Sequence, residues 1–473
     1  MSLPNTHFGA EKIKEILENK KTLLFLGVGG VSMCSLAMIA KKRGYDVFGY
    51  DRTETDVTRE LEGCGITVWY DESAEHIGGI DAVVYTVAIP ETNAEYAASV
   101  KAGIPLISRA DFLGYIMSGY EERIGFSGMH GKSTTTAMAE KIFDYAGMKP
   151  TVSCGAVMNN AKSTFRIGEH GFFIFEACEY MDSFLDFYPT TAVVLNIEMD
   201  HVDYFKSMEQ IETSFSRFIG KTADARRPRA IVNKADAHAM KAASGYAGEV
   251  ITFSKDDKTA DYTADNIEMI RGCASFDLVV RGESLAKVKL IVPGIHMVSD
   301  ALAAAAAAYE HGVPASGIAA ALGEYTGIGR RMENCGKAKS GADVYSDYAH
   351  HPTEIASSLE AACEMGYEKI VCAFQSHTFS RTAELYDGFV SALADSGVDE
   401  IVLADIYPAR ETNTFGVSSA AMAEKIAGTG KPCRYIDSFD GIRDYLECTT
   451  KPGEMILIMG AGDIDKVARR LVK

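Results

Sequence analysis

The chain has 473 residues, which at roughly 100–200 residues per domain predicts about three domains. Its composition, 47% hydrophobic and 24% charged, is that of folded globular proteins and excludes a disordered or fibrous chain. A formal net charge of −18 argues against nucleic-acid and membrane partners, because phosphate-rich surfaces are bound mainly through Lys and Arg. The ten Cys include no Cys-x-x-Cys pair, so we expect reduced thiols and a cytoplasmic location.

One uncharged run, residues 23–40, approaches the length of a membrane-spanning helix. Three glycines, Gly27, Gly29 and Gly30, interrupt this run, and this favours a strand, a glycine turn and a helix instead. The residues before it are polar and charged, so we do not interpret them as a signal peptide.

Strand-like runs alternate with helical patterns along the whole chain, which predicts an α/β fold with mostly parallel sheets. In the first predicted domain, residues 1–118, the strands are 23–27, 46–51, 66–70 and 82–85, and a linker is expected at 115–120. In the central domain, residues 119–326, the strands are 123–127, 172–176, 192–196 and 230–233, and the last helix is 301–309. In the third domain, residues 327–473, the strands are 370–374, 401–404 and 455–459.

A glycine-rich loop directly follows the strand 123–127 and precedes a helix: Gly128-Met129-His130-Gly131-Lys132-Ser133-Thr134. Backbone N–H groups of such a loop cradle phosphates at a helix N-terminus. Lys132, expected to be solvated, would contact the β- and γ-phosphates, and Ser133 would bind Mg²⁺. The match to the phosphate-loop consensus is partial, since Phe126 stands at the first glycine position. The alternative is an ordinary turn before a helix.

A second glycine loop, Gly27-Val28-Gly29-Gly30-Val31-Ser32, also lies between a strand and a helix, and Asp51 ends the next strand. This pattern is a dinucleotide-binding fingerprint in which Ser replaces the third Gly. It predicts a diphosphate at the helix N-terminus. The alternative is a tight turn that any doubly wound fold contains.

Acidic and histidine side chains follow two further strands. Glu176 ends the strand 172–176, and His201 follows the strand 192–196. A carboxylate and an imidazole at neighbouring strand ends suit a divalent metal, although each alone is more often structural. In the third domain, His350 and His351 lie in the segment 347–354, which has no third ligand at metal spacing. We therefore expect phosphate or carboxylate contacts there.

Taken together, these motifs resemble the Mur ligase family. The matching segments follow the family order through all three predicted domains: 27–30, 128–136, 176–180, 183–185, 196–204, 293–296, 329–331, 347–354, 375–382 and 460–463. The resemblance implies a Rossmann-like N-terminal domain that binds a UDP-sugar and a central domain of the P-loop ATPase type. It also implies a Rossmann-like C-terminal domain that closes over both.

The resemblance also implies a reaction. The lactyl carboxylate of UDP-N-acetylmuramate attacks the γ-phosphate of ATP, and the amine of L-alanine then attacks the acyl phosphate, in peptidoglycan precursor synthesis. Mg²⁺ is the implied metal, and the assembly is a monomer or a homodimer.

Residue roles follow from the same resemblance. The implied catalytic residues are Lys132, His201, His377 and Arg381. The implied ATP-binding residues are Gly128, His130, Gly131, Lys132, Ser133, Thr134, His296, Asp300, Arg330 (or Arg331), Asp347 and His351. The implied UDP-sugar-binding residues are Gly27, Gly29, Gly30 and Asp51, and the implied metal ligands are Ser133, Glu176 and His201.

Several positions depart from the family pattern: Ser32, Ser35, Met129, Ser133, Met297, Asp300 and Ser376. These departures leave open a paralogue that uses another amino acid or a recycled peptide, and the altered segment 296–300 leaves open a non-catalytic nucleotide-binding regulator. A further alternative is an NAD-dependent oxidoreductase that uses the first glycine loop and Asp51, but it leaves the Lys132 loop unexplained. Asp300, where the family has Asn, is expected to contact adenine. Alternatively, it caps the helix 301–309.

Overall fold

The computed structural model describes residues 3–201, 204–409 and 411–472, and of Val31 it describes the backbone alone. Val202 and Asp203, which belong to the family-like segment 196–204, lie outside the described residues. So do residues 1–2 of the predicted first domain and residues 410 and 473 of the predicted third domain. The chain forms two compact units. The first comprises the residues up to Phe253 with Ala303–Val313, and the second comprises Ser254–Leu302 with the residues from Pro314 onward.

The first unit begins with a parallel five-stranded sheet, ordered β3-β2-β1-β4-β5. Its strands are β1 (Thr22–Leu26), β2 (Asp46–Tyr50), β3 (Thr67–Trp69), β4 (Ala82–Tyr85) and β5 (Leu106–Ser108). Its helices are α1 (Ala10–Ile16), α2 (Val31–Lys42), α3 (Asp56–Gly63), α4 (Ala94–Ala102) and α5 (Arg109–Met117). The uncharged run 23–40 therefore forms β1, a glycine turn and α2, as predicted. None of the helices among the described residues is both long and apolar enough to cross a membrane.

The expected linker at 115–120 is helical in its first half and a turn in its second. Helix α5 continues to Met117, and Ile116, Met117 and Tyr120 are buried. The reason is packing against a 3-10 helix, Tyr180–Asp186: a Cβ added to Gly114 would lie 2.1 Å from the carbonyl oxygen of Asp186. Close packing thus holds residues 115–117 in the helix, and the connection to the strand that begins at Glu122 is the short turn 118–121.

A second sheet of the first unit carries the phosphate loop. Its strands are β6 (Glu122–Ser127), β7 (Thr151–Met158), β8 (Ser163–Arg166), β9 (Phe172–Glu176), β10 (Thr191–Val194), β11 (Arg229–Asn233) and β12 (Glu249–Ser254). They are ordered β12-β11-β10-β6-β9-β7-β8, and β8 alone among them is antiparallel to its neighbour. The helices are α6 (Lys132–Tyr145), α7 (Met208–Gly220) and α8 (Ala237–Ala243). Strand β6 lies between β9 and β10, so the loop, Glu176 and the residues after β10 follow the carboxyl ends of adjacent strands.

The second unit begins with three antiparallel strands, β13 (Tyr262–Ile270), β14 (Cys273–Val280) and β15 (Glu283–Pro293), which the sequence analysis did not predict. Helix α9 (His296–Glu310) follows, and its residues from Ala303 onward belong to the first unit; α10 (Ala315–Gly323) comes next in the second unit. The predicted helix 301–309 thus begins earlier, and it is not the last helix before residue 326. Asp300 is the fifth residue of α9 and does not cap it, because a cap precedes the first turn.

The remaining sheet has the order β16-β17-β21-β18-β19-β20, with β16 antiparallel. Its strands are β16 (Glu333–Lys337), β17 (Asp343–Asp347), β18 (Ile370–Phe374), β19 (Glu400–Leu403), β20 (Cys433–Tyr435) and β21 (Met455–Met459). Its helices are α11 (Pro352–Glu364), α12 (Phe379–Glu384), α13 (Tyr386–Ala394), α14 (Ser419–Ala427), α15 (Phe439–Thr449) and α16 (Asp465–Leu471). The two central strands β18 and β21 have the predicted bounds, because every residue in them is buried and apolar.

Candidate active site

The phosphate loop connects β6 to α6. Gly128 has φ 143° and Gly131 has φ 83°, values that favour glycine over residues with a side chain. Asn196, at the end of the neighbouring strand, fixes the loop: the N–H of His130 donates to Asn196 Oδ1 at 2.8 Å, and Asn196 Nδ2 donates to the His130 carbonyl at 3.0 Å. These two hydrogen bonds to a neighbouring loop of the same chain therefore fix the conformation of the phosphate loop.

Lys132 is held inside this loop. Its Nζ donates to the carbonyls of Gly128 at 2.5 Å and Met129 at 3.1 Å, and it lies 3.0 Å from Glu179 Oε2. Burial alone would lower the pKa of the ammonium, but nearby acidic groups, Glu179 foremost, raise it above its usual value. The side chain is only 12% exposed, so the expectation of a solvated lysine is wrong.

Ser133 and Glu176, two predicted metal ligands, meet directly. Ser133 Oγ donates to Glu176 Oε2 at 2.7 Å, and the N–H of Gly155 donates to the same oxygen at 2.7 Å. A hydroxyl and a carboxylate beside a phosphate loop are the oxygen ligands that Mg²⁺ prefers. The donor set thus fits a magnesium ion.

His201, the third predicted ligand, lies beside a residue that the sequence analysis missed. Its Nε2 is 3.3 Å from Oε1 of Glu179, whose side chain is 1% exposed. Burial opposes ionisation of Glu179, but Lys132 and His201 outweigh it and lower the pKa of the carboxyl below its usual range. Glu179 lies in the matched segment 176–180, three positions after the strand end, and only Glu176 of that segment was given a role.

The first glycine loop has a tight internal structure. The N–H groups of Gly27 and Val28 donate to the carbonyl of Tyr50 at 2.8 and 3.0 Å, and that of Gly29 donates to Asp51 Oδ2 at 3.0 Å. Asp51 therefore binds the loop itself. The first amides of a helix have no acceptor within it, so the first turn of α2 stays the predicted diphosphate site.

A cation that the sequence analysis missed lies at this first turn. Arg109 Nη1 donates to Ser32 Oγ at 2.9 Å. Ser32 stands where the family has Gly. This departure therefore supplies the hydroxyl that accepts the hydrogen bond from Arg109. Seventy-seven residues separate the pair, and no local pattern signals a contact over such a distance.

In the second unit, two predicted nucleotide contacts have structural partners. The buried carboxylate of Asp347 accepts from the N–H groups of Met332 and Ala349, both at 2.8 Å. His351 is the N-cap of α11, where its Nδ1 accepts from the N–H of Thr353 at 3.4 Å. Both side chains accept hydrogen bonds from backbone N–H groups and so fix the local backbone. Neither side chain is therefore fully available to contact a nucleotide.

Arg330 and Arg331 both lie over the ring of Tyr348, with their guanidinium carbons 4.7 and 5.4 Å from its centre. Arg330 also donates to the carbonyl of Gly462 at 3.0 Å. A cation held over an aromatic ring keeps a fixed position.

Two predicted histidines are neutral near pH 7. Burial lowers the pKa of His296 to about 4, with Arg331 adding to the effect. Burial, then His350 and Arg381, lower the pKa of His377 to about 4. The His377 ring stacks on Tyr407 at 5.4 Å, and its Nδ1 is buried without a hydrogen-bond partner among the described residues.

Comparisons with known proteins match this arrangement to one family. Three family descriptions fit consecutive parts of the chain: the Mur ligase family catalytic domain at residues 22–121, the Mur ligase middle domain at 127–308 and the Mur ligase glutamate ligase domain at 330–462. The chain belongs to the Mur ligase family. The predicted family and the predicted α/β fold with three domains are thereby confirmed.

Among relatives of this Mur ligase, the UDP-N-acetylmuramate–L-alanine ligase of Caldicellulosiruptor saccharolyticus is 41% identical over 442 residues, 93% of this chain and 96% of that protein. The enzyme of the same name from Acetivibrio thermocellus is 39% identical over 465 residues, 98% of each chain. The crystal structure of UDP-N-acetylmuramate–alanine ligase from Thermotoga maritima has a TM-score of 0.81 at 26% identity, over 96% of this chain and 98% of that one. A murein peptide ligase from Psychrobacter arcticus, at 23% identity over 95% of this chain and 98% of that one, has a TM-score of 0.71 and shares the fold.

Departures from the Mur ligase pattern preserve the backbone of the site. Met129 is buried, its N–H donates to the carbonyl of Asn196 and its carbonyl accepts from Lys132 Nζ, so these two contacts do not involve its side chain. Ser376 is also buried, and its carbonyl accepts from the N–H of Tyr407 at 2.9 Å. Neither departure removes a charged group from the site.

Proposed function

We propose that this Mur ligase joins L-alanine to the lactyl carboxylate of UDP-N-acetylmuramate, with ATP converted to ADP and phosphate. The names of the relatives supply the substrates. The observation that carries the proposal is the phosphate loop, in which Lys132 lies beside the Ser133–Glu176 pair. These groups suit a reaction in which two anions must meet.

Charge neutralisation is the task that the loop performs. The lactyl carboxylate and the γ-phosphate repel one another, and the Lys132 ammonium, whose pKa is raised, stays positive and reduces this repulsion. Ser133, Glu176 and His201 would hold Mg²⁺, which supplies further positive charge when bound. The loop residues Gly128, His130, Gly131 and Thr134 are proposed to bind the phosphates.

The C-terminal site residues are proposed for the acceptor and nucleotide sides. His377, neutral near pH 7, and Arg381 are assigned to the muramate and amino-acid side. The amino group of L-alanine attacks the acyl phosphate as a free amine, so its ammonium form must first lose a proton, and a neutral imidazole can accept that proton. Arg330, His296 and the neighbouring Asp347 and His351 are assigned to the nucleotide side.

The organisation of the molecule follows the same assignment. We assign UDP-sugar binding to residues 1–118, ATP binding to 119–326 and the closing domain to 327–473. The proposed setting is the cytoplasm, in peptidoglycan synthesis and hence in cell wall formation, cell shape and division. We propose a monomer or homodimer without nucleic-acid or membrane partners.

Phosphate release measured with a panel of amino acids tests the reaction. Release should require UDP-N-acetylmuramate and should be fastest with L-alanine. Faster release with another amino acid or a preformed peptide would identify a paralogue with another acceptor. If no phosphate is released with any acceptor while ATP binds, the chain is a nucleotide-binding regulator.

The first glycine loop should bind a UDP-sugar and not NAD. Both ligands offer a diphosphate to the first turn of α2, where Arg109 adds a positive charge, so the loop alone does not discriminate. Isothermal titration calorimetry with UDP-N-acetylmuramate and NAD should show binding of the first alone. Tighter binding of NAD would favour the oxidoreductase alternative.

Asp300→Asn should lower the KM for ATP. An Asn amide can both donate to adenine N7 and accept from the N6 amine, whereas a carboxylate only accepts. One regained hydrogen bond corresponds to about a threefold to tenfold change in affinity. Asp300 lies inside α9, so thermal stability should stay unchanged, and ATP should be preferred over GTP in both forms. An unchanged KM would place Asp300 outside the adenine site.

A further inference from the structure

Glu179 is the point at which the side chains of Lys132 and His201 converge. Its carboxylate lies 3.0 and 3.2 Å from Lys132 Nζ through its two oxygens, and 3.3 Å from His201 Nε2. The side chain is almost fully buried. None of the roles assigned above uses it.

The donors of Lys132 are already engaged. An ammonium group has three N–H donors, and here they face the carbonyls of Gly128 and Met129 and the carboxylate of Glu179. Of these three acceptors, Glu179 alone carries a negative charge. A phosphate that contacts Lys132 must therefore replace Glu179 as its anionic partner.

We propose that Glu179 is a positioning residue that acts as an internal substitute for phosphate: it holds Lys132 before a nucleotide binds and then yields this cation to the nucleotide. The freed carboxylate then faces His201 and adds negative charge at the metal side of the site. One residue thus works against phosphate binding and in favour of metal binding. This inference rests on the nucleotide site of the proposed function.

The variant Glu179→Gln should change phosphate binding and metal binding in opposite directions. Without the carboxylate, Lys132 has no anionic competitor, so ADP without metal should bind about threefold to tenfold more tightly, the effect of one hydrogen bond. The charge beside His201 is lost too, so the Mg²⁺ concentration that half-saturates the ADP complex should rise about tenfold or more, as for other groups that orient metal ligands. A residue with a merely structural role would weaken both.

Calorimetry on the full chain measures both quantities, first with ADP in EDTA and then with Mg²⁺ added to the ADP complex. The matched control is Glu140→Gln. Glu140 is a buried carboxylate on α6, where it accepts from Arg166 Nη1 at 2.8 Å. Its replacement should lower thermal stability and leave both affinities unchanged.

Glu179→Asp provides a second variant in case the Gln form does not fold. A shorter side chain moves the carboxylate away from Lys132, so both shifts should occur in the same directions and be smaller. Parallel weakening of both ligands, or no change in either, would overturn the inference. Failure of the wild-type protein to bind ADP would instead overturn the proposed nucleotide site.

Discussion

Lys132→Ala should reduce phosphate release about a hundredfold or more, the effect of removing one group that stabilises transferring charge. Stability should fall as well. Breaking a buried ion pair leaves an uncompensated charge at a cost of about 3–5 kcal/mol, and Glu179 would be that charge. Phosphate release with saturating UDP-N-acetylmuramate and L-alanine, and thermal unfolding, measure the two effects.

The double variant Lys132→Ala/Glu179→Gln separates the loss of activity from the loss of stability. It carries no unpaired charge, so stability should recover while activity stays lost. Lys149→Ala is the matched control, because Lys149 forms an exposed pair with Glu169 at 3.0 Å and should change neither property. Activity above a few per cent in a folded Lys132→Ala protein would contradict the phosphate-loop assignment.

Glu176→Ala should eliminate turnover at millimolar Mg²⁺. The carboxylate is the shared acceptor of Ser133 Oγ and the Gly155 N–H, so its loss removes a proposed ligand and leaves the hydroxyl unoriented. His201→Ala should raise the Mg²⁺ requirement to a smaller extent, because two oxygen ligands remain. Initial rates measured over a wide range of Mg²⁺ concentrations distinguish a shifted requirement from complete loss.

Glu169→Ala is the control for the metal variants, since this exposed carboxylate lies on the surface pair with Lys149. Its Mg²⁺ dependence should equal that of the wild type. If Glu176→Ala and His201→Ala also show unchanged activity and metal dependence, both residues are structural. The magnesium assignment would then fail while the fold assignment stands.

Local patterns predicted the parts of the molecule that local physics determines. Buried parallel strands such as Phe172–Glu176 and Met455–Met459 consist of continuous apolar runs, the first of which ends at the acidic Glu176, so their bounds are recognisable in the sequence. Glycines at positive φ mark the phosphate loop, and this loop joins a strand to a helix as expected. The contact between Ser133 and Glu176 followed from the rule that ligands meet at strand ends.

Errors arose where packing overrides local signals. Residues 115–117 of the expected linker belong to α5, because Gly114 allows this helix to pack closely on the 3-10 helix Tyr180–Asp186. The antiparallel strands β13 and β15 alternate exposed and buried residues over much of their length and lack a long apolar run. The predicted helix 301–309 begins five residues late, because the alanine run hides the earlier first turn of α9, and the alternative that Asp300 caps this helix is therefore wrong.

The sequence by itself determined the family, the α/β fold and the phosphate loop, because these depend on short runs whose meaning is set by backbone geometry and apolar periodicity. Only the tertiary structure decided the partners of the charged groups. Glu179 reaches Lys132 across 47 positions and Arg109 reaches Ser32 across 77. A buried charge must find a partner wherever the fold brings one, and sequence spacing does not encode that meeting.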